Sequence, residues 1–365
     1  MSSKKLRWGF STGSAAAAGA KACLLCLNGN QHLQQVEIPL PAGDRLQIPL
    51  QNVQPIADHF LAVVIKDGGD DPDATHKAQI LVRVWFWPDT STKIHIQGGF
   101  GVGRVTKPGL ELPVGSWAIN PAPHRQILTS VNEGLQETGL QGRVLVRIEV
   151  PRGLKIARKT LNPRLGILGG ISILGTRGTV KPFSRSSYQE TIRAGLNMAR
   201  AQGLRTAALC TGGRSERMLQ QYMPDLPQIC FIQVADFFAY ALSQAADSGF
   251  SQLHYACMFG KLVKAAQGQA YTHAHNAAVD FELLARWCSH HGLQSELVLE
   301  VQKANTARQV LEILLHQEAG SLILRHIVCR AREQGLGYLG QQTGLQVHLF
   351  DFQGNLLCKC PDEGH

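Results

Sequence analysis

Three apolar-rich runs stand near the start of the chain: Val36-Glu-Ile38, the uninterrupted Phe60-Leu-Ala-Val-Val-Ile65, and Ala78-Gln-Ile-Leu-Val-Arg-Val84. Short apolar runs of this kind, separated by Pro and Gly turns, predict strands. Ahead of them, Ser11-Thr-Gly-Ser14 opens an Ala-rich stretch that ends at Asn28-Gly29, the pattern of a helix with a hydroxyl start and a glycine stop. Strands are expected at residues 93–96 and 143–150, with a helix that follows Asn120-Pro121-Ala-Pro123 and runs through Ile127 to Thr138. The style changes near Pro182-Phe183-Ser184. Beyond it come helix 188–201, strand 206–210, helix 216–222, strand 229–234, helix 237–246 and strand 252–257, then mostly helix to Gln334 with a break near Gly292.

This pattern predicts a mixed α/β protein of two domains: an α+β domain over 1–184 and a doubly wound, Rossmann-like α/β domain over 185–345. A hairpin-like tail is expected over 346–365, around Gln353-Gly354-Asn355. In a doubly wound sheet, ligands meet the carboxyl ends of the strands. That singles out the loop Thr211, Gly212, Gly213, Arg214 and Ser215, the residue Asp236 and the Gly260-Lys261 pair as cofactor-binding candidates. Asp236 can take ribose hydroxyls or serve as a helix N-cap.

Of 365 residues, 44% are hydrophobic and 17% charged, which excludes a coiled coil and a disordered chain. Lys and Arg number 36 against 27 Asp and Glu, leaving +9, so an anionic partner is expected: nucleic acid, a membrane surface or an acidic small molecule. No charge-free apolar run approaches the roughly 18 residues of a membrane span, and a cytoplasmic protein is expected. The basic residues are dispersed and aromatics make up only 7%, which argues against nucleic acid. The nine cysteines sit mostly in apolar segments and read as reduced. Cys23 and Cys26 have redox spacing but lie inside the Ala-rich helix, where core packing explains them. Cys358-Lys-Cys360 lacks the further ligands of a zinc site.

Four stretches carry candidate chemistry. Ser11, Thr12, Gly13 and Ser14 read either as an anion-binding cup at a helix start or as a plain N-cap. Asp67-Gly-Gly-Asp70-Asp71-Pro-Asp73-Ala-Thr-His76 packs four carboxylates and a histidine into one connection, either offset by a cation or solvated as a turn. Gly98-Gly-Phe-Gly101-Val-Gly103-Arg104 looks like a dinucleotide loop, but Lys107-Pro108-Gly109 keeps the chain extended where a helix would have to open. His273-Ala-His275 has no third ligand nearby, so no metal site is expected.

Together these stretches resemble the cobalt-precorrin-5B C1-methyltransferase family of cobalamin biosynthesis. The matching text is Gly9-Phe-Ser-Thr-Gly-Ser-Ala-Ala-Ala-Ala18, Asp67 to His76, Gly101-Val-Gly-Arg-Val-Thr-Lys-Pro-Gly109, Pro113-Val-Gly115, Ala118-Ile-Asn-Pro-Ala-Pro123, Lys159-Thr-Leu-Asn-Pro-Arg-Leu-Gly166, Gly169-Gly-Ile-Ser-Ile-Leu-Gly-Thr176, Gly260-Lys-Leu-Val-Lys264, Thr272-His273 and Ala304-Asn-Thr-Ala307. The family more often has Thr-Thr-Gly-Thr where Ser11 to Ser14 stand, and Thr where Arg177 stands.

The resemblance implies methyl transfer from S-adenosylmethionine to ring carbon C1 of cobalt-precorrin-5B, an anionic cobalt corrinoid, with cobalt belonging to the substrate alone. The expected substrate contacts are Ser11, Thr12, Gly13, Ser14, Gly101, Gly103, Arg104, Thr106, Lys107, Asn162, Arg164, Gly175, Thr176 and Arg177. Asp67, Asp70, Asp71 and Asp73 are candidates to face the sulfonium or handle protons, with His76 or His273 as acid/base partner. A substrate-cradling half and a donor-binding half are thus expected, and a homo-oligomer is left open. A nucleotide-dependent oxidoreductase and a nucleic-acid-binding protein are the alternatives from other classes.

Overall fold

Alanines 15–18, 20 and 22 build a helix that is buried on every side, because small side chains let it lie directly on a sheet. In the computed structural model, which describes residues 6–29, 33–274 and 277–361, the chain divides into two units, Met1–Arg185 and Ser186–His365.

The first unit contains β1 (Gly9–Phe10), α1 (Thr12–Leu27), β2 (Gln35–Pro39), β3 (Arg45–Pro49), β4 (Asn52–Ile56), β5 (His59–Ile65), β6 (Gln79–Pro88) and β7 (Lys93–Gly98). It continues with β8 (Gly101–Val102), β9 (Arg104–Val105), α2 (Pro121–Thr138), β10 (Gly142–Glu149), α3 (Gly153–Ala157), β11 (Ile167–Leu168), β12 (Gly170–Ile171) and β13 (Thr179–Val180). The main sheet has the order β4-β5-β6-β10-β7, antiparallel throughout except where β7 runs parallel to β10. Its apolar face, with Ala62, Val82, Val84, Val144 and Val146, packs beneath α1 and α2. The fit is tight enough that a Cβ on Gly19 would sit 2.6 Å from Val82. Helix α2 begins at Pro121, within the Asn120–Pro123 stretch rather than after it, because Asn120 is already extended and Pro is favoured in a first turn.

The second unit contains α4 (Arg185–Ala201), β14 (Thr206–Cys210), α5 (Gly213–Tyr222), β15 (Phe231–Gln233), α6 (Phe238–Asp247), β16 (Gln252–Met258), α7 (Phe259–Ala266), α8 (Phe281–His290), α9 (Ser295–Gln302), α10 (Ala307–Leu315), α11 (Gly320–Leu336), β17 (Gly344–Phe350) and β18 (Leu356–Cys360). The sheet order is β15-β14-β16-β17-β18; the first four strands are parallel and β18 is antiparallel to β17. Met218 and Leu219 of α5 cover one face, against Ala208, Cys210, Ala256 and Phe350. Leu209, Tyr255, Val347 and Leu349 point to the opposite face, which α4, α6, α7, α10 and α11 cover.

Three expectations need correction. Over the described residues 346–361 the expected hairpin forms, β17 pairing antiparallel with β18, but it is not separate: β17 is an interior strand, and β18 closes the edge of the same sheet. The loop expected over 211–215 is shorter, since α5 already starts at Gly213. Asp236 is not a helix N-cap; Phe237 holds that position, and no side chain caps α6. Cys23 and Cys26 are buried in α1 as expected, and no helix among the described residues is long and apolar enough to cross a membrane.

Candidate functional site

In the second unit, β14, β15 and β16 end side by side, and Lys261 in the first turn of α7 reaches across those ends. Its ammonium donates to the carbonyl oxygens of Thr211 at 3.2 Å and Ala235 at 3.1 Å, and pairs with Asp236 Oδ1 at 3.1 Å. Thr272 adds a hydroxyl to the same Oδ1 at 3.2 Å and its backbone N–H to the Asp236 carbonyl at 3.0 Å. Asp236 is thereby fixed, and its Oδ2 takes no hydrogen bond among the described residues.

These groups border a cavity of about 430 Å3 whose lining also includes Phe259, Gly260, Lys264, His273, Arg308 and Phe352. Lys264 donates to Thr272 O at 3.0 Å. Burial holds its ammonium below the ordinary lysine value, Asp236 partly offsets this, and Lys261 adds to it. Phe352 is flanked by two guanidiniums, Arg308 at 5.2 Å and Arg214 at 5.7 Å from its ring. The His273 ring stacks on Tyr271 at 6.0 Å. This cleft offers a held carboxylate for hydroxyl or amine groups, cations for a carboxylate, and an aromatic face.

Asp236, Gly260, Lys261 and His273 of the sequence-derived set come together here. Thr211 contributes through its carbonyl, and Arg214 through Phe352. Gly212, Gly213 and Ser215 form the start of α5 instead; the Ser215 hydroxyl closes that turn on Gly212 O at 3.0 Å. Sequence reasoning missed Lys264, Arg308 and Phe352. Lys264 stands one helical turn from Lys261, a spacing that places both on one face.

In the first unit, Gly101 adopts φ +77° and a Cβ there would sit 1.9 Å from Val150 O. Only glycine fits, and the backbone therefore threads β8 against β12. Beside it lies a second cavity, of about 410 Å3, lined by Gln97, Gly98, Gly99, Phe100, Arg104, Trp117, Arg147, Leu168 and others. The Arg104 guanidinium lies on the Trp117 ring at 3.7 Å and donates to Gly115 O at 2.6 Å. Arg147 was not singled out by the sequence, where it reads as a polar position on a strand. Asn162 is scaffold: it is buried and bonds Gly170 O and Ser172. The Thr106 hydroxyl donates to Gly166 O at 2.7 Å, and the Lys107 stem lies over the Gly166 Cα, 2.8 Å from where a Cβ would sit. Gly103 is closed in by Ile167. Arg164 is half-buried, while Thr176 and Arg177 are exposed.

Of the two readings of Ser11 to Ser14, an anion cup or a plain N-cap, the local geometry is that of the N-cap. Ser11 caps α1 by accepting from Ser14 N at 3.1 Å, and Ser14 Oγ donates to Gly178 O at 2.7 Å. Gly13 N donates to Leu174 O at 3.1 Å, and a Cβ on Gly175 would strike Ser11. The helix start is thus filled by the 174–178 segment, and the plain N-cap reading holds.

The acidic connection is likewise satisfied internally. Asp67 pairs with the Arg7 guanidinium and accepts from Gly69 N. Asp70 accepts from Arg7 N at 2.7 Å, and Asp71 from Phe183 N at 2.9 Å. Asp73 pairs with buried Lys66 and takes both the hydroxyl and N–H of Thr75. His76 Nδ1 accepts from Gly68 N at 2.9 Å, which puts the neutral ring's proton on Nε2. The predicted catalytic set is therefore divided, with the acidic connection and His76 in the first unit and His273 in the second. Among the described residues, no group of three or more His, Cys, Asp or Glu side chains is arranged to hold a metal ion. His275 lies outside the described residues.

Comparison with known proteins bears on the whole chain. Residues 1–182 match the CbiD family model, and residues 271–361 match the model of the CbiD C-terminal domain. A cobalt-precorrin-5B C(1)-methyltransferase of Nitratidesulfovibrio vulgaris is 46% identical over 96% of this chain and 92% of its own. The protein of that name from Geobacillus kaustophilus is 46% identical over 98% and 95%, and that from Thermus thermophilus 41% over 98% and 95%. A solved structure described as a cobalamin biosynthesis protein (cbiD) from Archaeoglobus fulgidus is 24% identical, covering 70% of this chain and 78% of that one at a TM-score of 0.39. With relatives of one name matching nearly end to end, and both family models in register along it, the chain belongs to the CbiD family, the cobalt-precorrin-5B C(1)-methyltransferases.

Proposed function

We propose that this protein methylates ring carbon C1 of cobalt-precorrin-5B, giving cobalt-precorrin-6A, with S-adenosylmethionine as donor, on the anaerobic route of cobalamin biosynthesis. The names of its close relatives support the reaction. The observation that carries the donor assignment is the Asp236–Lys261–Thr272 arrangement at the carboxyl ends of parallel strands. We read the second unit as a doubly wound sheet in which the strand order reverses beside β14, and such sheets take ligands in that position.

The residues present fit a donor of this kind. Asp236, held by Lys261 and Thr272, presents Oδ2 to hydroxyl or amine hydrogens. Lys264 and Arg308 suit a carboxylate, and Phe352 an aromatic base. Bound there, the donor supplies an electrophilic methyl group on a sulfonium. Lys261 neutralises Asp236 and fixes three strand ends at once, so the binding groups are in place before the ligand arrives. A ring carbon of an electron-rich macrocycle is itself the nucleophile, so the protein's part is alignment and electrostatics, which can supply several kcal/mol. His273, at the rim of the cleft, is the side chain there suited to moving a proton.

Incubation with methyl-labelled S-adenosylmethionine and cobalt-precorrin-5B under anaerobic conditions should add one labelled methyl to the corrinoid. No transfer by protein that binds both partners would overturn this reading.

A further inference from the structure

Arg83 and Arg147 are cross-strand neighbours on β6 and β10, yet only one is neutralised. Arg83 pairs with Glu149 at 3.0 Å. Arg147 instead faces the Gln97 amide, which, turned so that its oxygen meets the guanidinium, accepts from Nε and Nη2 at 3.1 Å each. A neutral amide fixes the guanidinium without cancelling its charge. Arg104 is treated in the same way, braced by Trp117 and a backbone carbonyl. Both guanidiniums line the 410 Å3 cavity; the Glu149 carboxylate, paired with Arg83, lies behind the Gly99 wall, where a Cβ would meet its Oε1 at 3.1 Å and the Arg147 stem at 3.2 Å. Phe100 and Leu168, 68% and 52% exposed, stand at the same cavity as bare apolar groups.

With one carboxylate, Glu149, among the guanidiniums of Arg83, Arg104 and Arg147, positive charge is left over, and beside apolar lips it forms a receptor for carboxylate on an apolar frame. The volume lies at the low end of the roughly 300–1,000 Å3 typical of ligand sites, which suits a ring edge with its acid side arms rather than a whole macrocycle. We infer that this pocket of the first unit grips peripheral carboxylates of the corrinoid substrate, with Arg104 and Arg147 as its specificity-determining residues. The inference rests on the methyltransferase reading for the identity of the ligand.

The test uses the full-length protein with cobyrinic acid, a cobalt corrinoid with free peripheral carboxyls, and its fully methyl-esterified form, binding being followed by quenching of tryptophan fluorescence. The acid should bind and the ester should bind roughly ten- to a hundredfold more weakly. Arg147→Gln and Arg104→Gln should each weaken acid binding by a similar factor and leave ester binding unchanged. In the methylation assay both variants should raise KM for cobalt-precorrin-5B with little change in kcat, and they should bind S-adenosylmethionine as the parent does. Equal binding of acid and ester, inorganic phosphate binding as tightly as the acid, or KM unchanged in both variants would overturn the pocket assignment. Carboxylate-dependent binding through these arginines without methyl transfer would instead leave the pocket standing and sink the methyltransferase reading.

Discussion

Lys66, 1% exposed, is ion-paired with Asp73 of the acidic connection. Burial alone would raise the Asp73 carboxyl, but Lys66 and the two Thr75 donors outweigh it and hold it below the ordinary carboxylate value. A carboxylate committed in this way is a strut of the fold. Asp73→Asn should cost about 3 kcal/mol of stability, the range for orphaning one partner of a buried pair, read as a lowered denaturant midpoint. S-adenosylmethionine affinity should be unchanged in the folded fraction. An unaltered midpoint would show that the pair contributes nothing.

Lys261→Met leaves Asp236 and two strand-end carbonyls without their cation. The expected result is a roughly ten- to a hundredfold loss of donor affinity, measured by calorimetry, together with a lower melting temperature. Lys264→Met, which removes one bond to Thr272 O, should weaken the donor less and leave the melting temperature closer to the parent. If the two variants are indistinguishable, the bridging role of Lys261 is wrong.

The Thr12 hydroxyl donates to Leu174 O at 3.2 Å and accepts from Leu174 N at 2.9 Å. Leu174 O keeps the Gly13 N–H, so Thr12→Val should cost about 1 kcal/mol, from the Leu174 N–H left without its acceptor, while leaving the KM for cobalt-precorrin-5B unchanged. A large rise in KM with unaltered stability would restore the open anion cup.

Acid sensitivity has a source in the first unit. Glu133 is held down to about 2, chiefly by its hydrogen bond to Arg45, with burial opposing and Lys21 assisting. A carboxyl lowered on folding stabilises fully above its unfolded value of about 4.3 and loses that contribution as pH falls through the folded value. The stability gap between parent and Glu133→Gln should accordingly be widest near neutrality and should close between about pH 4 and 2. Denaturant midpoints across that range check it, and a gap that persists below about pH 2 contradicts it.

The strands and helices themselves were largely legible, because periodicity and breakers are local. The α1 start at Ser11 to Ser14 and the α2 stop at Gly139, with φ +68°, follow from residue chemistry alone. Partners were not legible. Whether Ser14 faces an anion or Gly178 O depends on a segment 164 residues away, and the fate of the acidic connection depended on Arg7 and Lys66. For the candidate sites, glycine turns and the Lys261 motif drew attention to stretches that border the two cavities. Arg147 did not stand out, because a strand arginine has no signal of its own until Gln97 is seen beside it. Phe352, just beyond the end of β17 at Phe350, was hidden by the expectation of a separate tail.

The placement of β17 also bears on how the chain is made. It lies inside the second unit's sheet, between β16 and β18, although α7 to α11 separate it in sequence from β16. A chain growing on the ribosome exposes β16 and its helices long before residue 344 exists. Until β17 emerges, one side of β16 remains an unpaired strand edge, open to association with other chains. The first unit, whose strands all lie before residue 185, can close much earlier. Synthesis thus leaves the proposed donor-binding unit waiting on its last two strands, and that interval is where a chaperone would find its substrate.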